Sequence, residues 1–190
     1  MASVNAVGSK SPARSAAQLR IIGAALALFP EHGVSGTSLQ MIADHLGVTK
    51  AAVYHQFNTK DEIVLAVAEA ELARLEAVVA GAEAASTQAR ARLLVVSGIV
   101  DLAVDSRRTT TTILSDPVIV GFFAEHHTFF DVMSRLRRLL MGDDVGADAR
   151  VRTAMLLAAI SGAVMHPFVV DLDDDTLRTE LLRLARRFLG

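Results

Sequence analysis

Three helix starts lie close together between residues 37 and 62, which favours short helices packed against one another. Thr37-Ser38-Leu39-Gln40 fits a capping box in which Thr37 accepts a backbone hydrogen bond and Gln40 reaches back. Thr49 can cap the next helix, and Thr59-Lys60-Asp61-Glu62 forms a second capping box that opens a long one. Gly47 ends the helix that follows Thr37, so that helix is very short. The spacing predicts a compact group of helices.

Apolar residues at helical spacing support these helices. A first helix ends near Pro30 and Gly33, and its apolar face consists of Leu19, Ile22, Leu26 and Phe29. The second helix has an i, i+3, i+4, i+7 face made of Leu39, Ile42, Ala43 and Leu46. In the third helix we expect three residues to point inward, namely Ala52, Val53 and Phe57.

Three of these residues have the spacing of a helix-turn-helix motif. Ala43 is small enough to let two helices approach, Gly47 can adopt the left-handed backbone of a tight turn, and Val53 can fill the crevice between the helices. An ordinary helical hairpin without a DNA role could carry the same residues by chance, because the chain is rich in Ala. The three positions alone therefore leave both interpretations open.

The composition agrees with a helical fold and excludes several kinds of site. Hydrophobic residues make up 52% of the 190 residues, with 12 Gly and only 4 Pro, so a mostly helical protein with a buried core is expected. The absence of Cys removes disulfides, thiolate zinc sites and thiol nucleophiles. Residues 1–60 carry a net charge of +3 and residues 61–190 one of −5. The basic end could meet a polyanion, although this excess could also be ordinary scatter.

The segment 21–63 resembles the N-terminal DNA-binding domain of the TetR family of bacterial transcriptional regulators. The matching positions are Ile21-Ile22, Ala25, Phe29, Gly33, Thr37, Ile42-Ala43, Gly47-Val48-Thr49, Val53-Tyr54-His55, Phe57, Lys60 and Glu62-Ile63. Three positions depart from the family pattern. Gln18 stands where a basic residue is common, Pro30 interrupts the end of the first helix, and Gln56 occupies a position that is often aromatic. We expect Gln18 to weaken one DNA-backbone contact and Pro30 to shorten the helix.

The resemblance implies that the third helix enters the major groove of DNA. At its start Lys50 can donate to guanine, and Ala51 or Ala52 can contact a thymine methyl group. Tyr54 and His55 are similar to the phosphate-contacting pair of the family. The predicted DNA-binding residues are Thr37, Thr49, Lys50, Ala51, Ala52, Tyr54, His55 and Lys60. Tyr54 could instead be a half-buried packing residue, and His55 and Lys60 could be solvated surface residues.

Few base contacts for each subunit imply two copies on a near-palindromic site, so we expect a homodimer. Two helices near the C-terminus could form a four-helix bundle with a second chain, as the family does. One carries Leu156, Leu157, Ile160 and Val164 beside Ala158, Ala159, Gly162 and Ala163, and the other carries Leu177, Leu181, Leu184 and Phe188. These helices could instead close the core of the monomer.

The region from residue 83 to 141 is predicted to be the regulatory part. We expect a helix over Ala89 to Ala103, a polar break over Arg107 to Thr112, and a long helix over Pro117 to Leu140. The resemblance implies an inducer cavity here that acts on DNA binding through the fourth helix. The predicted ligand-binding residues are Phe122, Phe123, His126, His127, Phe130, Met133, Met155 and Met165, and Phe129 and Phe168 are further candidates. A mainly hydrophobic small molecule would fit them, although a filled core is the alternative.

Metal and catalytic chemistry are not expected. Glu125, His126, His127 and Asp131 lie near one another in sequence, and His166 could join the i, i+4 pair His127 and Asp131 in a metal site. Adjacent histidines point about 100 degrees apart on a helix, however, so they do not share one site easily. No phosphate loop, nucleophile elbow, zinc-protease motif or dinucleotide fingerprint is present. We predict no enzyme activity, no metal and no cofactor.

Two further segments have alternative interpretations. Thr153 to Val170 is uncharged over 18 residues, the length at which a membrane helix becomes conceivable, but its Ser161, His166 and Pro167 favour a buried helix. We therefore expect no membrane association and a cytoplasmic protein. The four aspartates of residues 171–175 are expected to form a solvated turn that caps the helix from Thr176, with a calcium loop as the alternative.

Together these observations predict an all-α protein of about nine helices. Its parts are a flexible tail (1–14), a helix-turn-helix DNA-binding domain (15–62) and a ligand-binding and dimerisation domain (63–190). The predicted function is a homodimeric repressor that a small molecule releases from a near-palindromic DNA operator. A hydrophobic-ligand carrier without useful DNA binding is the first alternative, and an enzyme built on His126, His127 and Asp131 is the second.

Overall fold

The computed structural model describes residues 14–107, 119, 121, 123, 124 and 126–190. Within these ranges the chain is helical and has no strands, which confirms the all-α prediction. The eight α-helices of the described residues are α1 (Ala16–Gly36), α2 (Leu39–Leu46), α3 (Lys50–Gln56), α4 (Lys60–Glu83), α5 (Gln88–Asp105), α6 (His127–Met141), α7 (Ala147–Ala163) and α8 (Asp174–Leu189). A short 3-10 helix, Pro167–Val169, lies between α7 and α8.

The first helix differs from its prediction at both ends. Leu19 is 56% exposed, so the buried face runs instead through residues such as Ile21, Ile22, Ala25 and Phe29. Pro30 lies inside α1 and does not shorten it. The break comes at Gly33, whose φ of 72° and ψ of 160° are open to glycine but strained for other residues.

Two apolar clusters form the interior, and α4 contributes to both. The N-terminal cluster joins α1, α2 and α3 to the first half of α4, which supplies Ile63 to Ala68. The C-terminal cluster joins the second half of α4, from Leu72, to α5, α6, α7 and α8. Phe123 packs against both clusters, and Ile119 is buried in the N-terminal one. The helix α4 therefore runs through the predicted boundary at residue 62 and links the two halves of the chain.

Helices α4 and α5 approach closely at a single glycine. A Cβ atom placed on Gly98 would lie 2.4 Å from Cγ1 of Val78. Because real Cβ contacts are longer than this, only glycine fits here without movement of the Val78 side chain or of a helix. Two ion pairs join α8 to α5. Arg178 on α8 reaches Asp101 at 2.8 Å and Asp105 at 2.9 Å, both on α5.

The end of α4 is fixed to α6 by a paired hydrogen bond. Arg135 donates from Nε to Glu83 Oε1 at 3.0 Å and from Nη2 to Glu83 Oε2 at 2.6 Å. This hydrogen bond lowers the pKa of Glu83, against a smaller opposing effect of burial. The same pairing raises the pKa of Arg135. The carboxylate is therefore held ionised beside the turn between α4 and α5.

In the C-terminal half one prediction is wrong, one lies mostly outside the described residues and one is confirmed. The long helix expected over Pro117 to Leu140 is wrong, because His126 has a non-helical backbone (φ −90°, ψ 111°) and α6 begins at His127. The polar break lies outside the described residues except for Arg107. The helix predicted over Ala89 to Ala103 is confirmed as α5.

The acidic turn before α8 caps that helix. Asp173 accepts hydrogen bonds from the Thr176 amide at 2.9 Å and from its hydroxyl at 2.8 Å, as the sequence predicts. The hydrogen bond from the Thr176 amide lowers the pKa of Asp173. In the described part of the chain, no helix combines the length and the apolar character needed to cross a membrane.

Candidate nucleic-acid interface

A tight turn joins α2 to α3 in the geometry that the sequence predicts. Gly47 adopts φ 66° and ψ 33°, the left-handed conformation that stops α2, and its amide donates to Asp44 O at 3.1 Å. Ala43 and Val53 are both 0% exposed, so they fill the contact between the helices. The roles expected of Ala43, Gly47 and Val53 are confirmed.

The third helix presents its N-terminal end to solvent. Thr49 caps it by accepting from the Ala52 amide at 3.2 Å. The exposed residues of the helix are Lys50, Ala51, Ala52, Tyr54 and His55. Ala52 was expected to point inward, and that expectation is wrong, because only Val53 and Phe57 reach the core. An outward Ala52 agrees instead with the contact predicted for it on DNA.

Lys50 and Tyr54 lie together on this exposed face. The Lys50 ammonium is 5.6 Å from the centre of the Tyr54 ring, within the range of a cation–π contact. Tyr54 is 45% exposed, so the ring has a packed side and an accessible side. One turn of helix separates the two residues, which therefore form a small basic and aromatic surface at the start of α3.

The start of α2 is shifted by one residue from its prediction. The N-cap is Ser38, whose hydroxyl accepts from the Met41 amide at 3.2 Å. Thr37 is 1% exposed, and its hydroxyl donates inward to Gly33 O at 2.8 Å. Gln40 does not reach back to the cap but donates to Asp44 at 2.7 Å. The capping box predicted at Thr37 is therefore wrong, and the hydroxyl exposed at this helix end belongs to Ser38.

The fourth helix begins with one of the two hydrogen bonds that the predicted capping box requires. Thr59 accepts from the Glu62 amide at 3.1 Å, whereas the Glu62 carboxylate receives the amide of Asn58 at 2.8 Å instead of that of Thr59. Lys60 turns back toward α1, where its ammonium donates to Val34 O at 3.1 Å and Ser35 O at 2.9 Å. Lys60 is therefore partly buried, and its ammonium is already hydrogen-bonded.

The two glutamines that depart from the family pattern contact each other. Gln18 completes the capping box of α1 by accepting from the Ser15 amide at 3.0 Å, and its own amide reaches Gln56 O at 3.5 Å. Ser15 also donates to Gln56 Oε1 at 3.2 Å. These bonds join the start of α1 to the end of α3, and Arg14 adds an ion pair with Glu69 on α4. The sequence analysis missed this connection, since only the co-occurrence of two unusual glutamines signals it.

The C-terminal helices bury the residues that were predicted to face a partner. Leu156, Ile160, Val164, Leu177 and Leu181 lie in the core of the chain. Most of the predicted dimer stripe therefore closes the monomer. A different set remains exposed on α7 and α8, and it consists of Val151, Ala154, Met155, Ala158, Ala159, Gly162, Leu184 and Phe188.

The predicted ligand-binding residues that the structure describes divide between the core and the surface. Phe123 and Met133 pack against the C-terminal cluster, and the Phe123 and Phe129 rings are 4.8 Å apart. Phe130, Met155 and Met165 are 55%, 55% and 40% exposed, and His127 is exposed as well. The assignment of Met155 and Met165 to an interior cavity is therefore wrong. Phe122 lies outside the described residues.

A surface pocket of about 260 Å³ lies between the α4–α5 turn and α6. The residues that line it include Glu83, Gln88, Ala91, Arg135 and Arg138. It contains none of the predicted ligand-binding residues. The described residues include no group of three or more His, Asp or Glu placed to hold a metal ion.

Two short capped helices are joined here by a left-handed glycine turn, and the second helix is exposed at its start. This arrangement defines a helix-turn-helix DNA-binding module. The family model described as bacterial regulatory proteins, tetR family, matches residues 21–67. The HTH-type transcriptional repressor AcnR of Corynebacterium diphtheriae is 28% identical over 134 residues, 67% of this chain and 70% of AcnR. The HTH-type transcriptional regulator SrpR of Pseudomonas putida is 52% identical over 48 residues, 25% of this chain and 22% of SrpR.

Solved structures share the fold over nearly the whole chain. The fatty acid degradation regulator FadR from Bacillus halodurans has a TM-score of 0.74 at 19% identity, covering 94% of this chain and 97% of FadR. The regulator PfmR from Thermus thermophilus has a TM-score of 0.69 at 22% identity, covering 88% of this chain and 97% of PfmR. Residues 21–67 therefore match the DNA-binding part of the tetR family of bacterial regulatory proteins, and the chain shares its fold with solved regulators such as PfmR, which is described as a TetR family transcriptional regulator.

Proposed function

We propose that this protein is a homodimeric repressor that binds a near-palindromic DNA operator and is released from it by a small molecule. The exposed start of α3, held by the Gly47 turn, is the observation that carries the DNA-binding part. The likeness to AcnR, which is named a transcriptional repressor, supports the direction of regulation. Such a regulator acts where the bacterial DNA lies, in the cytoplasm.

Each exposed residue of the interface has a role in this proposal. Lys50 donates to guanine, and Ala51 and Ala52 contact thymine methyl groups. Thr49, Tyr54 and His55 contact phosphates, together with the N-terminus of α2. Ser38 takes the place that the sequence analysis gave to Thr37, because its hydroxyl is at the exposed helix end.

The homodimer is proposed to form through the outer face of α7 and α8. Half of the exposed apolar residues of this face are small, namely Ala154, Ala158, Ala159 and Gly162, so two copies could approach closely, as in a four-helix bundle. Arg152 crosses from α7 to α8, where it donates to Phe188 O at 3.2 Å and fixes the two helices relative to each other. A preformed, rigid face of this kind loses little conformational entropy when a second copy binds.

The effector response is proposed to pass through α4. This helix belongs to both apolar clusters, and Phe123 packs against both as well. A mainly hydrophobic molecule that changes the surroundings of Phe123, His126 and Met133 would therefore move the second half of α4 relative to the first. The molecule acts only through its different affinities for the two conformations.

DNA binding can be tested with duplexes selected from a random library by the purified protein. Fluorescence anisotropy should show a preference for the selected duplex over a scrambled one that survives added salt. Lys50→Ala should weaken the selected complex about tenfold or more, because a direct base contact contributes about 1–3 kcal/mol. Arg90→Ala removes the same charge from an exposed position of α5 and should have no effect. Equal weak binding to both duplexes would contradict the proposal.

The dimer can be tested by light scattering after size exclusion. The wild type should have twice the mass of one chain, and Ala158→Glu should convert it to a monomer, because the charge would be buried in the interface. Ala73→Glu on the exposed surface of α4 is the matched control and should remain dimeric. A dimer that Ala158→Glu leaves intact would place the interface elsewhere.

The effector can be sought by mass spectrometry of denatured protein, which releases any small molecule that purifies with it. When that molecule is returned to the complex with the selected duplex, the DNA affinity should fall. A molecule that binds tightly but leaves the affinity unchanged would favour the carrier alternative.

A further inference from the structure

Lys60 forms a bridge between two parts of the N-terminal half. It is the first residue of α4, yet its ammonium donates to Val34 O at 3.1 Å and to Ser35 O at 2.9 Å. These two carbonyls belong to the last turn of α1, where no later amide of the same helix can reach them. A lysine ammonium is well suited to this position, because it adds positive charge where the helix carries partial negative charge.

The segment that Lys60 contacts leads directly into α2. The backbone turns at Gly33, and Thr37 returns two hydrogen bonds to Gly33 O, one from its amide at 3.1 Å and one from its hydroxyl at 2.8 Å. Val34 is 6% exposed and anchors the segment in the N-terminal cluster. Ser38 then caps α2. The position of this exposed helix end therefore depends on how the segment 33–38 is held against α4.

Lys50 and Lys60 are engaged differently. Lys60 commits two of its three N–H donors to carbonyl oxygens. Lys50 is exposed and lies over the Tyr54 ring at 5.6 Å, so its ammonium can still take a DNA acceptor. Moving the Lys60 ammonium onto a phosphate would break its bonds to α1. The resemblance-based role of Lys60 as a phosphate ligand therefore conflicts with its observed contacts.

We propose that Lys60 is a positioning residue for DNA binding: it ties the start of α4 to the α1–α2 segment and thereby holds Ser38 and the N-terminus of α2 against the DNA backbone. It does not neutralise a phosphate itself. This inference rests on the proposed DNA-binding function. It also gives the movement of α4 a route to the DNA-binding surface, because the tie joins α4 to the segment that leads into α2 without passing through α3.

The first test measures how DNA affinity depends on salt for a duplex selected from a random library. Removing a lysine that contacts phosphate lowers the slope of log K against log salt by about 0.9 for each copy, or about 1.8 for a dimer. Lys60→Met should weaken binding about tenfold and leave the slope equal to that of the wild type. A slope reduced by about 1.8 in Lys60→Met would overturn the proposal.

A double-mutant cycle with Ser38→Ala tests the positioning role, because a general loss of stability would not couple these two residues. Ser38→Ala should weaken DNA binding in the wild type and have little further effect in the Lys60→Met background. Additive effects, or no effect of Ser38→Ala in the wild type, would overturn the proposal. Circular dichroism checks that each variant is folded, and Thr49→Ala is the control that should remain additive with Lys60→Met.

The third test uses the wild type and needs no substitution. The chain has only three lysines, Lys10, Lys50 and Lys60, so 15Nζ-labelled lysine gives a readable NMR spectrum. The Lys60 signal should be protected from solvent exchange in free protein and unchanged when the selected duplex is added. A DNA-induced shift of Lys60 with coupling to a DNA phosphorus would overturn the proposal. Failure of the wild type to select any duplex would instead refute the proposed function.

Discussion

Gly98→Ala should destabilise the protein, although alanine is the better helix former. The added Cβ would lie 2.4 Å from Cγ1, 3.0 Å from Cγ2 and 3.2 Å from Cβ of Val78. Valine cannot easily turn away, because its branched side chain has one strongly preferred rotamer in a helix. Helices α4 and α5 must therefore separate where Gly98 meets Val78.

The size of the effect follows from two opposing terms. Overpacking of a well-packed contact costs about 1–3 kcal/mol, and the severity of the 2.4 Å contact places this site in the upper half of that range. Replacing glycine by alanine within a helix returns about 1 kcal/mol. The expected net loss is about 1–2 kcal/mol in the free energy of unfolding. In a domain of this size, 1 kcal/mol corresponds to a fall of about 2–4 °C in Tm.

The assay is urea unfolding followed by circular dichroism at one protein concentration, because dimer dissociation would make the midpoint depend on concentration. Gly81→Ala is the matched control: it lies in α4, nothing lies within 4 Å of its added Cβ, and it should stabilise the protein by about 0.5–1 kcal/mol. Val78→Ala should largely rescue Gly98→Ala by removing both Cγ atoms. A Gly98→Ala variant as stable as Gly81→Ala would refute the reasoning.

Three further predictions rest on local geometry. Thr37→Val should reduce the free energy of unfolding by about 0.5–1.5 kcal/mol through loss of its internal hydrogen bond to Gly33 O, and urea unfolding checks this. Ser38→Ala should reduce DNA affinity, which anisotropy on the selected duplex measures. Gly47→Ala should cost about 1–2 kcal/mol because the turn needs a left-handed backbone, and unchanged stability in the same urea assay would contradict it. Arg135 lowers the pKa of Glu83 below its ordinary 4.5, so this pair stabilises the fold above that pH and the contribution is lost as the pH falls through the lowered pKa. The stability difference between the wild type and Glu83→Gln should therefore shrink on acidification, and a difference that is constant with pH would show that ionisation of Glu83 contributes nothing.

The local signals in the sequence predicted the N-terminal half well. Thr49 and Thr59 cap their helices, and Gly47 ends α2, because capping and left-handed turns depend on a few neighbouring residues. The error at Thr37 has the same origin. Thr37 and Ser38 can both cap a helix, and only the burial of Thr37 against the core leaves Ser38 as the cap.

The C-terminal half was predicted less accurately from the sequence. Apolar periodicity identified the helices but not which face meets the chain's own core, because a dimer stripe and a core stripe have the same spacing. Leu156 and Ile160 are buried in the monomer, whereas Met155 and Ala158 on the same helix are exposed. Two of the predicted cavity residues, Met155 and Met165, are exposed for the same reason, since they were placed by residue type alone.

The helical fold, the resemblance of residues 21–63 to the TetR family and the turn chemistry of the DNA-binding motif could be read from the sequence, since each rests on residues that interact within a few positions of one another. The tertiary structure decided the partners of side chains that can serve several roles. Lys60 could be a phosphate ligand or a solvated cation by its sequence, and it is bonded to α1 because folding brings the last carbonyls of α1 within reach of its ammonium. Gln18 and Gln56 became partners in the same way. Long side chains have several acceptors in reach, and only the packed arrangement of the helices selects among them.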